Sequence, residues 1–158
     1  SRPAAVADGH DLEARTNVAG ASTLAGMVES TSSCTSEHSM EHAMSALYPA
    51  LPHGAGLICL SKAYFETFVD DSKDRYMKMA EVMTSEPAHQ AGDFVDALVK
   101  MQKACGMDQL KLSDWGLKEE DLPEMVQNAK ATMGGLFQLD PRMLTDDEIL
   151  AIYKKSYR

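Results

Sequence analysis

The chain has 158 residues, with 24 acidic against 15 basic side chains and a formal net charge of −9. This acidic balance argues against a nucleic-acid-binding protein, because phosphate binding depends on clustered Lys and Arg. A chain of this length can bury about 70% of the surface that it exposes when unfolded, so it can form a core without covalent cross-links.

The cysteines and the apolar runs exclude two further classes of protein. Cys34, Cys59 and Cys105 form no CxxC pair, so the sequence predicts neither a disulfide framework nor a thiolate zinc site. No stretch approaches the roughly 20 apolar residues that span a bilayer, and no basic segment followed by an apolar one opens the chain. We therefore expect a cytoplasmic protein without a membrane partner.

The periodicity of apolar residues predicts an all-α fold. Helical spacing runs through most of the sequence, and no alternating or β-branched run predicts a strand. We expect one compact domain of about seven helices over residues 1–158. The first helix, about residues 11–32, carries an apolar stripe of small side chains that predicts close helix packing. This stripe consists of Ala14, Val18, Ala21, Ala25 and Val28.

Six more helices are predicted in chain order. Their approximate ranges are 36–47, 54–69, 72–83, a fifth helix from 85–87 to 105, a sixth from 119 or 122 to 133, and a last helix from 145. Ser85 and Pro87 suit a helix start, and Gly106 suits a helix end. Thr145 and Glu148 have the spacing of a capping box, which predicts the start of the last helix.

Three of the five histidines are concentrated in the stretch SEHSMEHAMSALYPALPHGAGL. His38 and His42 are four residues apart on the predicted second helix, so their imidazoles share one face. His53 lies on a Pro-His-Gly turn at the start of the next helix, where the helix dipole disfavours a cation and leaves the imidazole able to bind metal. His10 and His89 have no such company, and we expect them to be ordinary surface residues.

Two other interpretations of these residues stay open at this point. The pentapeptide HSMEH fits the H-x-x-E-H pattern of zinc peptidases, in which His38 and His42 bind zinc and Glu41 is the general base. Glu119 or Glu120 is eligible as the further carboxylate, although the chain offers no strand to bind a peptide. Alternatively, the chain is a non-enzymatic helical interaction module whose histidines only cap helices or fill space.

A resemblance to the iron-containing (group III) alcohol dehydrogenases is carried by the longer segment HSMEHAMSALYPALPHGAGLICLSKAYFETF. The second signature of that family has His-x3-His followed by Pro-His-Gly. Similar segments flank it: DLEARTNVAGASTLAGM before it, and LKLSDWGLKEEDLPEMVQNA and PRMLTDDEILAIYKKSY after it. The resemblance covers nearly the whole chain and implies the C-terminal helical metal-binding domain of the dehydroquinate synthase-like fold.

The resemblance also implies roles for the three histidines. In that family one Asp and three His hold a divalent ion, Fe2+ or sometimes Zn2+, and His38 and His53 correspond to the last two histidine ligands. His42 corresponds to a neighbouring active-site histidine that is not normally a ligand. The family's Asp-x3-His motif has no counterpart, because Val6 stands four residues before His10.

The family's nucleotide-binding domain precedes that motif and is absent from this chain. The resemblance therefore implies the C-terminal catalytic part of an alcohol dehydrogenase that uses NAD or NADP, acts on a small alcohol or aldehyde, and is inactive as this chain alone. We expect its partner to be the missing N-terminal domain. The surface that meets that domain should have apolar patches, so we also expect a homo-oligomer.

Overall fold

The structure, a computed structural model, describes residues 2–158. Within that range the secondary structure is helical, with eight α-helices and no strand. The helices are α1 (Arg2–Ala7), α2 (Leu12–Thr31), α3 (Ser36–Leu47), α4 (His53–Thr67), α5 (Lys73–Thr84), α6 (Gly92–Ala104), α7 (Leu122–Met133) and α8 (Asp146–Ser156). Short 3-10 helices cover Leu112–Trp115, Glu119–Asp121 and Gly134–Leu139. The predicted all-α class is confirmed, with one short helix more than expected.

Helix α3 lies at the centre of the fold. It packs against α4 and α7, while α8 closes over α4 and α7 and the α5–α6 pair packs on the far side of α4. Met40 and Met44 on α3 are fully buried, as are Leu60 on α4 and Tyr153 on α8. Burial of such apolar side chains is the main stabilising contribution to a helical bundle.

Buried hydrogen bonds fix the position of α3 against its neighbours. The Ser39 hydroxyl donates to the main-chain carbonyl of Ala129 on α7 at 2.8 Å, and the Tyr153 hydroxyl on α8 donates to the carbonyl of Met40 at 2.8 Å. Directional bonds add little net free energy each, but they restrict the rotation and translation of the helix. The side chains of α3 are therefore held in a defined orientation.

Several helix boundaries follow local signals in the sequence. Helix α3 ends just before Tyr48, which precedes Pro49 and has left the helical conformation, with a φ of −127° and a ψ of 77°. Helix α8 begins after Thr145, which forms the predicted capping box with Glu148. Gly106 follows α6 with a φ of 69°, the left-handed conformation that favours glycine at a helix end.

The predicted start of the helix at Ser85–Pro87 is wrong. Ser85 instead ends α5 with a φ of 61°, and α6 begins only at Gly92. The intervening segment is held by the Asp93 carboxylate, which accepts hydrogen bonds from the main-chain N–H groups of His89 and Gln90. This side-chain contact satisfies the groups that the expected helical turn would have used.

The predicted burial of the α2 stripe is also wrong. Only Ala14 is buried, and the remainder of the stripe is exposed or partly exposed. Leu24, Met27 and Val28 are more than 60% exposed, because α2 packs mainly against the short helix α1. The stripe thus has the composition of a helix contact, yet most of it remains exposed within residues 2–158. No helix in that range is both long and apolar enough to cross a membrane.

Candidate metal centre

The three clustered histidines converge on one point of the surface. His38 and His42 are one turn apart on α3, and His53 is the first residue of α4. The His53 ring centroid lies 5.2 Å from that of His38 and 5.2 Å from that of His42, and the other pair is 6.5 Å apart. One nitrogen from each ring lies within 4.8 Å of the other two.

This donor set fits a transition-metal ion. Imidazole nitrogens bind zinc and iron at about 2.1 Å, so two ligands of one ion are at most about 4.2 Å apart. Small side-chain rotations close the remaining gap. In residues 2–158 no Asp, Glu or Cys joins this group, so it offers only imidazole nitrogens as possible metal ligands.

The cluster is open on one side. His42 and His53 are exposed, and His38 is partly buried. Burial lowers the pKa of His38, and the neighbouring imidazoles of His53 and His42 lower it further. A lowered pKa keeps the ring uncharged at neutral pH, which is the form that binds a metal.

A buried carboxylate supports His53 from behind. Glu41 is fully buried on α3, and one of its oxygens contacts Nδ1 of His53. Its other oxygen accepts a hydrogen bond from the Ser45 hydroxyl at 2.5 Å. The sequence pattern indicated only a general-base role for Glu41. Its contact with His53 depends on the packing of α3 against α4, which the sequence pattern does not specify.

A second buried carboxyl on α3 was not predicted. The Oε1 atom of Glu37 is buried without a hydrogen-bond partner, and burial raises the pKa of Glu37 to about 8. Glu37 makes no hydrogen bond to any of the three histidines. Together with Leu57 and Phe65, Glu37 lines a cavity of about 220 Å³.

The other residues considered from the sequence lie outside the cluster. His10 and His89 are exposed, as predicted. Glu119 and Glu120, the eligible carboxylates of the peptidase interpretation, are exposed on a 3-10 helix and are not part of the histidine group.

The sequence matches the Fe-containing alcohol dehydrogenase family, C-terminal, over residues 1–157. It is 32% identical to the long-chain primary alcohol dehydrogenase AdhA of Thermoanaerobacter ethanolicus, across 98% of this chain and 40% of that protein. It is 31% identical to a 1,3-propanediol dehydrogenase of Klebsiella pneumoniae, across 97% of this chain and 40% of that protein. The chain therefore spans less than half the length of these relatives.

Solved structures show the same likeness. An archaeal alcohol dehydrogenase from a Red Sea brine pool superimposes with a TM-score of 0.90 at 31% identity, over 98% of this chain and 40% of that one. A 1,3-propanediol oxidoreductase gives a TM-score of 0.88 at 29% identity, over 98% and 41%. The family match over residues 1–157 shows that the chain belongs to the iron-containing alcohol dehydrogenase family and corresponds to its C-terminal part.

Proposed function

We propose that the chain is the metal-binding catalytic part of an NAD(P)-dependent alcohol dehydrogenase. The observation that carries this proposal is the convergence of His38, His42 and His53 on one point, with a ring nitrogen of each within 4.8 Å of the others. Family membership supports the reaction class, and the geometry supports the position of the ion.

His38 and His53 would hold the ion, which is Fe2+ by family likeness, with Zn2+ as the alternative. Imidazole suits either metal, and raw affinity favours zinc over Fe(II). Two nitrogens leave coordination positions open toward the exposed side of the cluster. An Asp and a further His, from the family's Asp-x3-His motif on an earlier helix, would occupy two of them in the complete enzyme, as the family resemblance implies.

A bound divalent ion would supply Lewis-acid polarisation of the alcohol or carbonyl oxygen, and nicotinamide would accept or donate the hydride. His42 lies beside this position, is exposed, and shares a face of α3 with His38. It can therefore take the alcohol proton and pass it to solvent, which assigns it the role of proton relay. A small alcohol or aldehyde is the substrate in this proposal.

The exposed face of α2 is the proposed contact with the N-terminal nucleotide-binding domain. Leu24, Met27 and Val28 are more than 60% exposed and follow one another along this helix. Apolar side chains grouped in this way favour association with another surface. In the absence of that domain, the same residues favour self-association of the chain.

The peptidase alternative loses its general base in this geometry. Glu41 is fully buried, and both of its oxygens have partners in His53 and Ser45, so it cannot activate a water molecule beside His38 and His42. A non-enzymatic module would show no stabilisation by metal. No observation on this chain favours either alternative.

Metal titration of single-histidine variants tests the proposal. We expect Zn2+ to raise the free energy of unfolding of the unaltered chain, by about 2.7 kcal/mol at 100 times Kd. His38→Ala and His53→Ala should each abolish this increment, whereas His42→Ala should retain most of it. His89→Ala, which removes an exposed histidine far along the chain, is the matched control.

Two results would contradict the proposal. Binding that survives loss of His53 but not of His42 would favour the peptidase arrangement, and an unfolding free energy that metal leaves unchanged would favour the interaction module. We also expect the chain alone to show no alcohol-dependent reduction of NAD or NADP. Turnover by the purified chain would contradict the role proposed for the N-terminal domain.

A further inference from the structure

The strongest unexplained feature of the centre is the burial of Glu41. Its side chain is fully buried at the contact between α3 and α4, where a carboxylate loses its hydration. Among the ion pairs of residues 2–158, its only partner is His53. A buried carboxylate without a Lys or Arg partner is costly, so its presence calls for a specific role.

The contacts of Glu41 orient the His53 ring. An ionised carboxylate can only accept hydrogen bonds. One oxygen of Glu41 accepts from the Ser45 hydroxyl, so the contact between its other oxygen and Nδ1 of His53 requires Nδ1 to donate its N–H. This assigns the proton to Nδ1 and leaves the lone pair on Nε2. Since Nδ1 is occupied, Nε2 is the nitrogen of His53 that is free to face a metal ion.

The local packing is adapted to this carboxylate. Gly56 on α4 lies directly against Glu41, and a Cβ at that position would be 2.7 Å from Cγ and 2.8 Å from Oε1 of Glu41. Only glycine leaves room for the side chain in this orientation. The His53 side chain itself is 49% exposed, so packing alone does not fix its ring, and the carboxylate supplies the missing restraint.

We propose that Glu41 is a positioning residue of the metal centre, which fixes the tautomer and ring orientation of His53 so that Nε2 points toward His38. This inference rests on the proposed function, because it takes His53 to be a metal ligand. Carboxylate partners of metal-binding histidines commonly change metal affinity by about 10–100-fold. We expect an effect of that size here.

The first test measures the tautomer directly and needs no metal. Long-range 1H–15N NMR spectra of the unaltered chain at mildly alkaline pH should show His53 with its proton on Nδ1. Glu41→Gln should give a mixture of the two tautomers, since an amide can either accept or donate. A proton on Nε2 of His53 in the unaltered chain would overturn the inference.

The second test measures affinity for Co2+, whose visible absorption reports the coordination. Glu41→Gln should weaken binding by about 10–100-fold. Glu37→Gln is the matched control and should bind like the unaltered chain. Glu37 lies on the same helix and has a buried carboxyl oxygen, and it makes no hydrogen bond to any histidine.

The outcomes separate this inference from the proposed function. Unaltered Co2+ affinity in Glu41→Gln, together with loss of Co2+ binding in His53→Ala, would overturn the positioning role and leave the metal site in place. Equal affinities for the unaltered chain and for His38→Ala and His53→Ala would overturn the proposed function itself. Circular dichroism of each variant checks that it is folded, and the NMR test on the unaltered chain depends on no variant.

Discussion

Because Gly56 packs directly against Glu41, a larger side chain at position 56 should destabilise the fold. A methyl group at position 56 would lie 2.7 Å from Cγ of Glu41, whereas two carbon atoms in contact are about 3.5–4.0 Å apart. Glu41 cannot retreat, because it is fully buried and both carboxylate oxygens are bonded. The overlap of nearly 1 Å must therefore be relieved by movement of α4 against α3.

Overpacking of this kind costs about 1–3 kcal/mol. The better helix propensity of Ala offsets up to about 1 kcal/mol of it. With the full offset, we therefore expect Gly56→Ala to lower the free energy of unfolding by up to about 2 kcal/mol. Urea denaturation followed by circular dichroism at neutral pH measures this quantity.

Gly54 provides the matched control on the same helix. A Cβ at position 54 would meet nothing within 4 Å, so Gly54→Ala should be neutral or stabilising by a few tenths of a kcal/mol up to about 1 kcal/mol. If Gly56→Ala were as stable as Gly54→Ala, the close packing of Glu41 against α4 would be refuted. The reasoning that Glu41 is held rigidly behind His53 would then lose its steric support.

Two further predictions concern the core and the surface charges. Leu60→Ala should lower the free energy of unfolding by about 2–5 kcal/mol because the side chain is fully buried, whereas Leu24→Ala, at an exposed position, should stay within about 0.5 kcal/mol in urea titrations. Equal losses would contradict the observed burial. Hydrogen bonds from the Arg142 guanidinium, and next from the main-chain N–H of Thr145, lower the pKa of Glu148 from 4.5 to about 2, so these contacts stabilise the fold above about pH 4.5 and cease to do so as the pH falls to about 2. Arg142→Met should therefore lower the free energy of unfolding at pH 7, by a small amount because both side chains are more than a third exposed, and should match the unaltered chain near pH 2. A difference that persists unchanged at acid pH would contradict the role of this pair.

The sequence by itself determined the helical class and many of the helix boundaries. Proline after Tyr48, the capping box at Thr145 and glycine at position 106 act within a few residues of the chain, so their effect does not depend on distant packing. The spacing of His38 and His42 is likewise a local property of one helix. The spacing alone suggested a metal site, and the similarity of several segments to a known family added the role of each of the three histidines.

Ser85 illustrates a competition between local signals. A serine two residues before a proline can either begin a helix or reverse the chain after one. In the structure Ser85 has a left-handed conformation and ends α5. The Asp93 side chain then satisfies the main-chain groups of the following segment. Such a choice depends on which partner comes within reach, and propensity alone does not resolve it.

Only the tertiary structure decided which of these features face one another. The α2 stripe has the periodicity of a buried face, yet Val28 is 64% exposed, because burial requires a partner surface and residues 2–158 provide little for it. The sequence alone does not distinguish Glu41 from a solvent-facing general base. The packing of α4 against α3 is what buries Glu41 beside His53. The approach of His53 to His38 depends in the same way on the packing of two separate helices, which the spacing of residues along the chain does not specify.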